Sequence, residues 1–275
     1  RTMPADRTGI SLMEAAGLDP QAAIDALELF AGQELLPEDR QELYTRTHPV
    51  SQARIDAIAA AIGGAGEAEP VEPDLAAAYG LLRAKIDGFT NPPADVLARL
   101  PATGGTIEER YARAIALSRL PDPDRAAREL DSLIADQPRN PFFHELRGQF
   151  LLENGEADAA IPHYRRAVAL APDAPLIMTA LARALVSTGT TANRREALGL
   201  LQRSRQLDPN HVVTLRVLAQ AHAESGEAGL AAVTTAEFHA ARGNGEEAAR
   251  FARRAMGLLP EGSPGWIRAN ELASE

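Results

Sequence analysis

Residues 141–173 read PFFHELRGQFLLENGEADAAIPHYRRAVALAPD. Gly148, Ala160, Tyr164, Ala167 and Pro172 are spaced as a pair of touching antiparallel helices requires. Small residues fall where the helices meet, because a larger side chain would push the backbones apart, and Tyr164 fills the room beside them. Gly155 ends the first helix and Pro172 stops the second. The same ruler extends outward. Pro138 and Pro172 are 34 residues apart, and Ala126 and Ala160 precede them by 12. Ala197 precedes Pro209, and Ala248 precedes Pro260, by that same offset. Pro209 follows Pro172 by 37 residues, which a longer turn from Gly189 to Asn193 accounts for. A period of 34 predicts helix-turn-helix units stacked as a solenoid, an architecture that works by presenting a concave surface to another chain.

One unit is expected before this stretch, from Ile107 to Asn140, with Ala114, Ala126, Leu130 and Pro138 at the equivalent places. Another follows from Pro175. From Val212 the spacing slips, with helices expected near 212–225, 227–241 and 245–258 and a last one opened by Ser263-Pro264. Trp266, Ala269 and Leu272 give that last helix the single apolar face a terminal cap needs. Upstream, GGAGEAEPVEP at 63–73 has the composition of a connection. It separates four short amphipathic helices, near 5–16, 20–31, 37–45 and 51–62, from everything after it. Leu75, Tyr79, Leu82 and Ile86 form a further helical stripe.

Composition narrows the function. The chain has 275 residues, 45% of them hydrophobic and only 4% aromatic, which suits close-packed alanine-rich helices. A net charge of −10 without a basic cluster argues against a nucleic-acid surface. No run of about 18 apolar residues marks a membrane span. The absence of cysteine excludes a disulfide scaffold and a thiol nucleophile. Lys85 is the sole lysine, so arginine carries nearly all positive charge. No Gly-rich phosphate loop or nucleophile elbow is present. A chain beginning at Arg1, and patterned from its first turn, is expected to be a fragment of something longer.

The first region carries a more specific signature. Ala5-Asp6-Arg7-x-Gly9, a helix through Met13, AAGLDP with an amphipathic helix, and Thr47-His48-Pro49 followed by Arg54 resemble the C-terminal part of the M48 family of zinc metallopeptidases. The linker and the repeats, which follow the tetratricopeptide (TPR) pattern, resemble bacterial periplasmic members of that family. The resemblance implies an all-α chain: 1–62 as the last helices of an M48-like peptidase domain, 63–73 as linker, and 74–275 as a TPR solenoid with a capping helix. It implies a parent zinc endopeptidase of envelope protein quality control, located in the periplasm.

The zinc chemistry does not carry over to this chain. Active members need His-Glu-x-x-His on a helix, two histidines for zinc and a glutamate to activate water. His144-Glu145-Leu146-Arg147-Gly148 supplies the first two letters, with Gly148 where the second histidine is required. The place of the family's glutamate ligand is held by Thr2. Asp6 and His48 match family positions near the zinc site, Asp6 in the shell that supports a bound histidine. We expect no catalytic residue, metal or cofactor in this chain, with zinc confined to the parent.

The family pattern also implies a peptide groove, lined by the first helix of each unit at positions 2, 5, 9 and 12. Here that set includes Tyr111, Phe142, Glu145, Gln149, Thr179, Arg183, Val213, Arg216 and Gln220. It lacks the Lys/Asn cluster that clamps a terminal carboxylate in chaperone-binding TPR proteins. The expected ligand is therefore an internal stretch of polypeptide, with Arg183 and Arg216 on carboxylates or backbone carbonyls. Expected partners are a polypeptide substrate or partner protein and the missing peptidase domain, with neither nucleic acid nor a membrane span. The alternative reading is a free-standing TPR adaptor or assembly factor with no protease function.

Overall fold

The computed structural model describes residues 4–28, 52–62 and 73–274. Thr2, His48, the helix expected at 37–45 and nearly all of the 63–73 linker lie outside these residues. Every regular element among them is helical, as the all-α reading requires. Packing divides the chain into two units, 1–79 and 80–275, with the division inside one helix.

The first unit contains α1 (Pro4–Ala15), α2 (Gln21–Glu28) and α3 (Gln52–Ile62). The isoleucines of α3 form its packing face: Ile55 and Ile58 are buried with Ile10 of α1 and Ile24 of α2. Four isoleucines make a small core for three helices.

The helix α4 (Pro73–Thr90) leads into the second unit. Its apolar stripe is not its packing face. Leu75, Tyr79, Leu82 and Ile86 are all more than half exposed. Ala84 and Gly88 are buried instead. A Cβ on Gly88 would stand 2.8 Å from the Ile115 side chain, so the helices approach at small residues. After α5 (Pro93–Arg99), the array runs α6 (Ile107–Ser118), α7 (Pro123–Asp136), α8 (Pro141–Glu153), α9 (Ala157–Leu170), α10 (Pro175–Ser187) and α11 (Thr191–Leu207). It continues through α12 (Val212–Glu224), α13 (Ala228–Ala241), α14 (Gly245–Met256) and α15 (Pro264–Ser274).

Local chemistry fixes the helix starts. Thr106 and Glu109 form a reciprocal capping box on α6, and Asp122, Asn140 and Thr190 cap α7, α8 and α11. Proline sits at the first helical position of α7, α8 and α10, where its missing N–H costs nothing. Gly155, at φ 83°, closes α8, with its N–H on Leu152 O and that of Glu156 on Leu151 O. Ala126, Ala160 and Ala197 are fully buried, and the Tyr164 ring fills the face of Gly148 so closely that a Cβ there would lie 2.9 Å from it.

The slip after Val212 has a structural form. Each helix from α5 to α15 packs on the next. Helices two apart also touch, and this longer contact follows α6, α8, α10 and α12, then jumps to α13 and α15. Ala236, Gly243, Ala248, Ala255 and Pro260 repeat the offsets of Gly148, Gly155, Ala160, Ala167 and Pro172. The pair α13–α14 is therefore a regular unit displaced by half a period, and α12 is a first helix inserted before it. The core divides at the same place. One buried cluster runs from Ala84 to Ala221, and another gathers Ala232, Val233, Ala236, Ala252, Ala255, Ala269 and Leu272.

Candidate polypeptide-binding face

The expected groove positions separate into buried and open groups. Tyr111 is 1% exposed and packs on Phe143 of α8, ring centroids 5.2 Å apart. Burial pushes its phenol well above the ordinary range, with Glu145 adding to the effect. Thr179 is 2% exposed. Its hydroxyl lies 2.8 Å from Thr214 Oγ1 and 3.0 Å from Ser204 Oγ, and Ser204 donates to Pro175 O at 2.9 Å. These three hydroxyls tie α10, α11 and α12 together. Tyr111 and Thr179 are thus packing residues, not groove residues. Both stand at the fifth position of a first helix, and each is covered by a residue of the next first helix, Phe143 for Tyr111 and Thr214 for Thr179. Val213 is half-buried against the same core.

The remaining positions face solvent to differing degrees. Phe142 is 45% exposed. Glu145 accepts from Lys85 Nζ of α4 at 2.8 Å, and that ammonium stands 5.9 Å from the Phe142 ring centroid. The sole lysine of the chain therefore covers two of the expected ligand positions. Its scarcity pointed to composition, and nothing in its sequence surroundings signalled this contact. Gln149 and Gln220 donate along their own helices to Glu153 and Glu224. Gln220 also lines a cavity of about 410 Å³ with Phe251 and Arg254. Arg183 and Arg216 are exposed on α10 and α12, which touch, and neither makes an ion pair among the described residues. Two uncommitted guanidiniums on neighbouring first helices offer directional donors to a carboxylate or carbonyl.

No catalytic or metal geometry accompanies this face. Among the described residues no three His, Asp or Glu side chains gather as a metal site. His144 is buried, its Nε2 donating to Pro138 O at 3.0 Å. Asp6, in the first turn of α1, takes a two-pronged pair from Arg54 of α3, with Nη2 at 2.7 Å and Nε at 3.1 Å. The motif residues Asp6 and Arg54, 48 positions apart, thus fasten two helices of the first unit. The described residues do not assemble a zinc site.

Comparison with known proteins places both regions. Residues 1–62 match Peptidase family M48, and residues 111–175 match the tetratricopeptide repeat. The beta-barrel assembly-enhancing protease of Yersinia pestis is 29% identical over 231 residues, 81% of this chain and 46% of that protein. Its counterpart in Escherichia coli (strain K12) is 26% identical over 267 residues, 94% of this chain and 53% of that protein. The chain thus spans about half the length of the curated relatives it matches. Among solved structures, MamA matches at 18% identity with a TM-score of 0.44, over 57% of this chain and 87% of that one. Over most of its length, then, this chain resembles an M48 protease that carries tetratricopeptide repeats, with its first 62 residues on the peptidase side of that arrangement.

Proposed function

We propose that the chain is the polypeptide-recognition part of an M48-type zinc metalloendopeptidase that serves envelope protein quality control in the periplasm. The single observation that carries this reading is order: an M48 match at 1–62 precedes a tetratricopeptide match at 111–175, in a chain similar along 81% of its length to a beta-barrel assembly-enhancing protease. In this reading 1–62 closes the peptidase domain, 63–73 links, and 74–275 binds. The rest of the peptidase domain and a polypeptide substrate are the partners. Zinc belongs to the parent, because this sequence contains no His-Glu-x-x-His.

Recognition runs through the open positions. Arg183 and Arg216 supply donors, Phe142 an apolar contact, and Gln149 and Gln220 exchangeable amides. These positions carry no Lys/Asn cluster of the kind that clamps a terminal carboxylate, so internal segments are the ligand. The test uses the chain as it stands, with fluorescein-labelled β-casein as probe. The expected result is binding without cleavage, no zinc retained through dialysis, and weaker binding after Arg183→Glu with Arg216→Glu at an unchanged melting temperature. Retained stoichiometric zinc with chelator-sensitive cleavage overturns the division of labour. Unchanged casein affinity in the double variant overturns the binding face.

A further inference from the structure

Glu237, on α13, is buried, its side chain 7% exposed. Its Oε1 accepts from Arg205 Nη2 of α11 at 2.8 Å and from Arg268 Nε of α15 at 3.2 Å. Its Oε2 is buried and has no hydrogen-bond partner among the described residues. A buried carboxylate oxygen without a donor is costly, and native structures rarely leave one. The two arginines are 38% and 42% exposed, and with Glu237, Asn210 and Leu272 they line a cavity of about 610 Å³. That is the size range of ligand pockets.

The electrostatics define what fits. Arg268 also donates Nη1 to Glu271 at 3.0 Å. Burial works against the Arg268 charge, and its hydrogen bonds to Glu271 and Glu237 more than offset it. Arg205 Nε and Nη1 and Arg268 Nη2 have no acceptor among the described residues. Two arginines face two glutamates, so the cluster is neutral as a whole. The Glu237 carboxylate repels the full charge of an incoming anion, whereas an uncharged carbonyl can accept from the free arginine N–H groups without that repulsion. Leu272, Ala240 and Ala241 supply apolar wall for the carbon skeleton.

We infer that Arg205, Glu237 and Arg268 form a second polypeptide subsite, one that takes uncharged amide groups of an extended chain, from its backbone or from Asn and Gln side chains. The inference rests on the polypeptide-recognition reading and adds a site to it, carried by α11, α13 and α15 and separate from Arg183 and Arg216. Glu237 is its positioning residue, holding two like charges side by side.

The test is a titration of the ¹⁵N-labelled chain, reading the arginine Nε–Hε signals. The probes are acetyl-Gly-Asn-Gly-Asn-Gly-amide, its Glu counterpart and sodium acetate. The Asn peptide is expected to move Arg205 and Arg268 together, with the response weakened about fivefold or more in Arg205→Met and in Glu237→Gln. Arg205→Met is the safer variant, since that side chain is partly exposed and its loss leaves Arg268 on Glu237. A larger response to acetate or to the Glu peptide overturns the inference, as does no response at all. β-Casein binding on the same samples separates the two proposals. Casein bound equally by parent and Arg205→Met, with silent arginine signals, sinks the subsite alone. Casein bound by neither sinks both.

Discussion

Glu129 and Glu237 each sit between two arginines, one in the regular part of the array and one after the slip, and only the first set is complete. Glu129 accepts from Arg110 Nε at 3.3 Å and from Arg113 Nη2 at 2.8 Å on one oxygen, and from Arg113 Nε at 3.2 Å on the other. Arg113 closes its account on Pro101 O at 2.6 Å and is 2% exposed. Glu237 keeps one oxygen without a donor, and its arginines are far more open. The same Arg–Glu–Arg triad thus acts as an internal fastener in one place and as part of an open polar cavity in the other. Burial of the arginines, rather than the presence of the triad, makes the difference.

The largest expected effect tests this contrast directly. Arg113→Met leaves Glu129 short of its main partner in a closed site and should cost about 3–5 kcal/mol in urea unfolding. Arg205→Met removes a partly exposed member of an open triad and should cost about 1 kcal/mol or less. Equal losses would erase the distinction. An intermediate effect compares the packing of the two parts. Ala160 and Ala252 are both fully buried at helix contacts, and leucine at either should overpack by about 1–3 kcal/mol. A thermal melt that registers the change at Ala160 but not at Ala252 would show the displaced unit to be looser than its geometry indicates.

The smallest effect is a pH dependence in the regular part. Burial of His163 holds its pKa below the ordinary 6.5, with Arg147 and His144 adding to the shift and Asp131 opposing it. The folded state therefore binds this proton less readily than the unfolded chain. Stability from this source is complete above about 6.5 and falls as pH drops through that value toward the lower folded one. His163→Gln should flatten that acid slope in urea midpoints measured across it. An unchanged slope would assign it to other groups.

The repeat was readable in the chain because contact between helices leaves a fixed trace. Only Gly fits at 148 against the Tyr164 ring, and only a residue tolerant of positive φ closes α8 as Gly155 does. The half-period displacement shows in the sequence as irregular spacing after Val212, but its meaning does not, since a shift by one helix alters which helices touch without altering any one helix. The exposure of the expected groove positions was legible in part. Arg183 and Arg216 are open as the pattern implies, whereas Tyr111 and Thr179 are covered by Phe143 and Thr214, residues of the following first helix. A position rule written for one unit does not register how closely the next unit approaches. Lys85 and the Arg205–Glu237–Arg268 cluster were invisible for a different reason. Charged residues occur on every helix surface, and only the fold selects the few that converge. The stripe of α4 misled because four large apolar residues outweigh Ala84 and Gly88 in any hydrophobic count, although close approach favours the small pair.

The inserted helix α12 bears on how such an array can change length. Between Ile107 and Leu207, duplication or loss of one 34-residue stretch returns the chain in phase, and the flanking units meet the surfaces they met before. Across Val212 that exchange is not neutral. α13 serves as the second helix for α12 and as the first for α14, so a copied stretch ending there would join two helices of the same kind. The displaced junction therefore sets a boundary to inheritance: repeats can be gained or lost on its N-terminal side, while α12 to α15 must be kept or discarded as one piece.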